Sequence, residues 1–184
     1  MKIILIALFI VFFNTSFSQD IYRGLKYGMS KSEANNEYKT HNDLYDNIDL
    51  GHGFVWRTYS KNFIFINGGL VAVNLVPKGA AFGLGYDRTT SYLEFTAAFF
   101  EAKGYKEFFR PDYWQYPLNF KARYGLLLAA PDSSIMVQMY PIIVNLGNSK
   151  TSSPIVKVMN YRWFINSYNT DHAILDEKSK NSGF

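Results

Sequence analysis

The chain has 184 residues, 48% of them hydrophobic, and a formal net charge of +4; that is enough apolar surface for one ordinary domain or two small units sharing a core, and it excludes a mainly disordered chain. Cysteine is absent, which excludes disulfides, thiol nucleophiles, thiolate metal sites and a lipid-modified cysteine. The basic residues are scattered rather than gathered into the stripe that a nucleic-acid partner requires.

Residues 1–18 read as a signal peptide. Lys2 supplies the positive start, Ile3 to Phe13 is an unbroken apolar run, and Ser16-Phe17-Ser18 places small residues before a cleavage point at Ser18. As a helix the run would be roughly 16 Å long, against a bilayer core of about 30 Å, so a membrane anchor is the poorer reading. No later stretch is apolar for long enough to span a bilayer, and the expected product is a soluble protein of the periplasm or the cell exterior.

After a short extended entry from Ile21 to Met29, a helix is predicted from Ser30 to about Thr40. Ser30-x-x-Glu33 has the form of a capping box, in which the Ser oxygen accepts from one free amide and the Glu side chain covers another. Asn42 to Gly53, rich in Asn, Asp and Gly, reads as a loop. Phe54 to Tyr59, Phe63 to Ile66 and Leu70 to Val76 then read as three strands in a meander. Asn67-Gly68 is a strong hairpin signal between the last two, because a type I′ turn needs positive φ at both central residues.

Gly83-Leu84-Gly85-Tyr86 and Ser91-x-x-Glu94 look like a degenerate copy of Gly24-Leu25-Lys26-Tyr27 and Ser30-x-x-Glu33. They predict a second unit whose helix runs from about Tyr92 to Lys103, buries Phe95, Ala98, Phe99 and Ala102, and stops at Gly104. Strands are predicted over Tyr105–Phe109, Phe120–Ala130, Ile135–Val144 and Ile155–Ile165. Arg110 to Asn119 and Asn145 to Pro154 read as loops, and 171–184 as a flexible polar tail. The expected architecture is α+β: two helix-plus-antiparallel-strand units, about 21–78 and 83–166, packed as one compact domain over 19–170 with helices on one sheet face.

Gly28-Met29-Ser30-Lys31-Ser32-Glu33, opening a helix that leads into a meander, resembles the head of small exported α/β modules. Two groups share it: the β-lactamase-inhibitor-protein-like fold, itself a tandem of helix-plus-sheet units, and outer-membrane assembly lipoproteins of the SmpA/OmlA type. The chain lacks the lipid-attachment cysteine of the second group and the disulfides of the first. The resemblance implies a non-enzymatic protein-binding module outside the cytoplasm and implies no particular binding residues.

His41, Asp43, Asp46, Asp49 and His52 are the main candidate metal ligands. Counting from Asp43, however, Tyr45 and Ile48 fall where an EF-hand needs an oxygen ligand and a glycine; His41, His52 and one Asp could still hold zinc, but the segment reads first as a polar loop. Gly-x-Ser-x-Gly fails at Ser32, and no pair of opposed carboxylates is recognisable. No catalytic residue, cofactor or metal is therefore assigned.

Aromatic residues make up 18% of the chain. Tyr113, Trp114 and Tyr116 in a Pro-bounded loop have the composition of a contact surface, and Trp56, Tyr161 and Trp163 fall on predicted strands from which alternation directs some rings to an uncovered face if helices cover only one side of the sheet, or into the core if both sides are covered. Arg57, Arg123 and Arg162, also on predicted strands, read as surface charges that keep a sheet soluble and guard its edges, with a cationic row beside the rings as the alternative. These residues point to an exported inhibitor-like or assembly-factor-like module that binds an extracytoplasmic protein. A small-ligand or glycan binder is the alternative, and a hydrolase built on the His41–His52 loop is the weakest reading.

Overall fold

The computed structural model describes residues 19–51, 53–79, 83–114 and 125–181, with side chains described as far as residue 173. It shows an α+β domain in which helices pack on a mostly antiparallel sheet. A small hairpin, β1 (Asp20–Tyr22) and β2 (Leu25–Lys26), is followed by helix α1 (Lys31–Thr40), a short helix α2 (Asp43–Asp46), β3 (Ile48–Asp49), β4 (Val55–Arg57), a 3-10 turn at Ser60–Asn62, β5 (Phe63–Ile66) and β6 (Gly69–Pro77). Then come α3 (Tyr86–Ala102), β7 (Lys106–Phe109), β8 (Leu126–Ala129), β9 (Ile135–Leu146), β10 (Ser149–Asn160) and α4 (Tyr161–Asn181). None of the described helices is long and apolar enough to cross a membrane. The signal-peptide expectation falls on residues 1–18, outside the described residues.

Local sequence chemistry explains several boundaries. Ser30 Oγ accepts from Glu33 N at 3.3 Å and Glu33 Oε2 accepts from Ser30 N at 2.8 Å, completing the expected capping box of α1. At the end of α3, Gly104 N donates to Glu101 O at 2.9 Å and Tyr105 N to Phe100 O at 3.1 Å, with Gly104 at φ +84°. This is the paired arrangement of a Schellman stop. Asn67 and Gly68 both have positive φ, +50° and +81°, as the predicted hairpin turn requires.

The second capping box does not form. α3 starts at Tyr86 behind Gly85, so Ser91 lies inside the helix and its hydroxyl donates back to Asp87 O at 2.9 Å. The buried stripe of α3 is Thr89, Tyr92, Leu93, Thr96, Ala97 and Phe100, whereas Phe95 is 40% exposed. Both stripes have helical spacing. The one holding Tyr92 turns inward because that ring meets Trp56 and Phe54, at 5.6 and 4.0 Å between centroids.

The predicted meander is also altered. β4 and β5 lie end to end along one edge of β6, paired with Val76–Pro77 and with Gly69–Val73, and the 3-10 turn bridges them. Thr58 Oγ1 holds the break by donating to Asn74 O at 2.7 Å. The other edge of β6 pairs with β10, so the strand order is β3-β4-β6-β10-β9-β8-β7 and the elements before residue 78 and after residue 83 supply opposite halves of one sheet.

The largest departure is at the C-terminal end. The segment expected as a loop, Asn145 to Pro154, belongs to a long hairpin, β9–β10, that turns through Gly147 (φ +63°) and Asn148. Pro141 and Pro154 face each other in it. Both lie past the ends of the outer ladders, which cover 136–139 on β9 and 156–159 on β10, so their missing N–H groups remove no rung to a neighbour. The expected strand then stops at Asn160. Asn160 Oδ1 accepts from Trp163 N at 2.9 Å and caps α4, which continues through the polar segment to Asn181.

The two predicted helices share one face of the sheet, where Ala34, Tyr45, Leu93, Ala97 and Phe100 pack with Val73, Leu75, Leu126, Leu128, Val137, Met139, Val156 and Val158. The unpredicted helix α4 takes the opposite face. Its Phe164 packs with Val71, Ala72, Leu127, Met136 and Met159.

Candidate functional site

Alternation along β9 and β10 decides what the second face presents. Val156 and Val158 point into the main core, so Ile155, Lys157 and Met159 point the other way, and Gln138, Tyr140 and Ile142 do the same from β9. Register places Lys157 opposite Asn74 on β6 and opposite Gln138 on β9. Three polar side chains therefore stand side by side on adjacent strands, in a face whose other positions are mainly apolar.

α4 covers only one end of this face. Between the helix and the sheet lies a cleft of about 310 Å³, lined by Lys157, Gln138, Tyr140 and Met159 from the sheet and by Trp163, Phe164, Ser167, Tyr168 and Asp171 from the helix. The Lys157 ammonium sits 5.4 Å from the centre of the Tyr140 ring. Among the described residues it has no carboxylate within ion-pair distance. Burial lowers its pKa below the ordinary lysine value, and burial likewise raises that of Tyr140. Asn74 Oδ1, next to Lys157 across the strands, is buried without a hydrogen-bond partner among the described residues.

Further along the same face a second cleft, of about 360 Å³, opens between β4, β6 and the β9–β10 hairpin. Val76, Pro77, Ile142, Val144 and Ile155 form its apolar floor, with Arg57, Tyr59, Lys61 and Asn62 on the side of the broken strand. The Arg57 guanidinium lies 4.7 Å from the Tyr59 ring centre. It is 4.0 Å from Asp46, whose closer partner is Lys78 at 2.7 Å. The Lys78 hydrogen bond keeps the Asp46 carboxyl below its usual pKa. Arg57 Nε and Asn62 Nδ2 are buried donors without partners among the described residues.

The residues expected to form an aromatic contact face are dispersed. Trp56 is fully buried in the main core, on the opposite side of the sheet from Arg57. Trp114 is 8% exposed, its indole N–H given to Glu94 and its carbonyl taken by the Tyr86 hydroxyl at 2.5 Å. Tyr113, 64% exposed, keeps the expected accessibility; Tyr116 lies outside the described residues. Tyr161 and Trp163 are on α4 rather than on a strand, partly buried against the second face. Arg162 is exposed on α4 rather than on a strand with Arg57, and Arg123 is outside the described residues.

The His41–Asp49 segment does not converge on a point. His41 Nδ1 pairs with Glu37 at 2.8 Å, Asp46 with Lys78, and Asp49 accepts from Gly51 N at 2.7 Å; His52 is outside the described residues. In place of the loop, α2 and β3 bury Tyr45, whose hydroxyl donates to Arg23 O at 2.7 Å. Among the described residues no group of carboxylate and imidazole side chains could hold a metal ion.

Sequence reasoning kept Arg57 in view but missed Lys157. The signal was present: it is the one charged residue in Ile155-Val156-Lys157-Val158-Met159, so alternation alone sets it apart from its valine neighbours. The comparisons return no relative. No family model, curated protein or solved structure matches this chain.

Proposed function

We propose that this chain is an exported, non-enzymatic protein-binding module that holds an extracytoplasmic partner on the second face of its sheet. The observation that carries this reading is the cleft beside Arg57, where Arg57 and Lys61, both against the Tyr59 ring, edge an apolar floor of Val76, Ile142, Val144 and Ile155. A cationic rim over apolar residues fits a protein surface carrying a carboxylate beside an apolar side chain. Tyr113, exposed elsewhere on the chain, is not needed for this contact.

The resemblance of the Gly28–Glu33 motif and of the helix-then-strands order to inhibitor-like and assembly-factor-like modules supports the same reading. The periplasm or the cell exterior is the compartment that goes with the N-terminal signal. A glycan platform has less support, because Trp56 and Trp114 are in the core. The test is cross-linking of the tagged chain in its own cells, followed by recovery of the partner with three forms of the bait. Wild type is expected to retain one protein, and Arg57→Glu and Val144→Arg, each still folded by circular dichroism, to lose it. Retention of the same protein by both variants, or recovery of none by wild type, would sink the reading.

A further inference from the structure

We propose that the cleft between α4 and the sheet at Lys157 is a binding site for a small amphiphilic carboxylate, an organic acid with an alkyl or aryl body. The inference stands apart from the partner-binding reading: it concerns a different cleft and needs no second protein.

The cation is the first ground. An ammonium withdrawn from water is costly unless an anion or several acceptors replace its hydration. Lys157 is flanked across the strands by two amides, Asn74 and Gln138, and faces the Tyr140 ring. None of the described carboxylates reaches it. A lysine that only needed to stay hydrated would extend its charge to water; this one lines a cleft roofed by a helix. The arrangement leaves the cation facing the cleft, where an incoming anion can reach it.

The walls are the second ground. Tyr140, Met159, Trp163, Phe164 and Tyr168 line the space around Lys157, and the volume of about 310 Å³ lies at the small end of the range of small-molecule sites, about 300–1,000 Å³. Aromatic faces and a pliable thioether accept an alkyl chain or a ring without fixing its shape. Asp171 also lines the cleft, from α4 one turn beyond Ser167. The ligand's charge lies toward Lys157 and its body along the rings.

The experiment uses the chain without its signal segment and two probes with the same body, octanoate and 1-octanol, titrated calorimetrically. Octanoate is expected to bind with a Kd of about 1 mM or tighter, and octanol at least about tenfold more weakly, because it lacks the charge-assisted hydrogen bond. Lys157→Met should reduce octanoate binding at least about tenfold while leaving octanol unchanged. Ser167→Trp, which fills the cleft from the helix side and keeps the lysine, should abolish both. Equal binding of the two probes by wild type, undiminished octanoate binding by Lys157→Met, or no octanoate binding overturns the proposal. None of these outcomes bears on the Arg57 cleft, whose variants are read by partner capture instead.

Discussion

The Trp114 indole N–H donates to the Glu94 carboxylate, so a residue with the composition of a surface loop is tied to the middle of α3. The Tyr86 hydroxyl, donating to the Trp114 carbonyl at 2.5 Å, makes a second tie near the start of the same helix. Trp114 thereby serves stability. Trp114→Ala is expected to cost about 3–5 kcal/mol in urea unfolding, and Trp114→Phe, which keeps most of the ring and loses the indole donor, about 1–2 kcal/mol. Its exposed neighbour gives the control: Tyr113→Ala should change stability by less than about 0.5 kcal/mol.

Lys157 should carry a stability cost. Replacing a largely desolvated ammonium that has no carboxylate partner among the described residues by an apolar chain of similar length is expected to stabilise the fold, and Lys157→Met should raise Tm by roughly 2–4 °C for each kcal/mol relieved. The pH dependence has a definite sign. Burial depresses the lysine pKa in the folded state, so above that depressed value the unfolded chain binds more protons and the wild type gains stability as pH rises. The advantage of Lys157→Met is therefore largest at neutral pH and shrinks toward the unfolded lysine pKa of about 10.4. Thermal melts of both proteins across that range give the comparison; an advantage that grew with pH would contradict the assignment.

Gly125 enters β8 at φ +61°, and a Cβ added there would meet Met139 O at 2.1 Å. The obstacle is backbone, and a left-handed conformation adds strain for any other residue. Gly125→Ala is expected to destabilise by roughly 2–4 kcal/mol. Gly147→Ala, also at positive φ but with open space around its Cβ position, should cost about 1 kcal/mol. Chemical denaturation of the pair separates close approach from backbone conformation.

Phe164 is the residue through which α4 packs on the second face, buried with Leu127, Met136 and Met159 and edge-on to Phe108 at 5.8 Å between centroids. Phe164→Ala is expected to cost about 3–5 kcal/mol. A chain ending at Asn160 should expose that apolar layer, bind a hydrophobic dye such as ANS and lose soluble yield. A truncated chain that stayed soluble without binding dye would show that α4 is dispensable to the core.

Where the deciding chemistry is local, the sequence alone determined the outcome. The Ser30–Glu33 box, the Gly104 stop and the Asn67-Gly68 turn each depend on hydrogen bonds or φ values set within a few residues, and each formed as read. The α+β class followed as well, because hydrophobic period survives burial. The stretch from Ile155 to Ile165 did not resolve, since apolar and aromatic residues there satisfy strand and helix spacing alike. The end of β10 was settled by the Asn160 cap, by Tyr161 N donating to Ser134 O at 3.1 Å, and by an apolar layer waiting on the second face.

The same division holds for the candidate sites. Alternation in the sequence already assigns Lys157 and its valine neighbours to opposite faces, and Trp56 and Arg57 to opposite faces. Only the tertiary structure decides which face is core, because that depends on where α3 and α4 come to rest. Trp56 lies under α3 and is lost to solvent, whereas Lys157 faces a cleft that α4 roofs without filling. The physical reason is that a strand specifies two faces and cannot specify their covers: the cover is chosen by long-range burial, which no local pattern encodes.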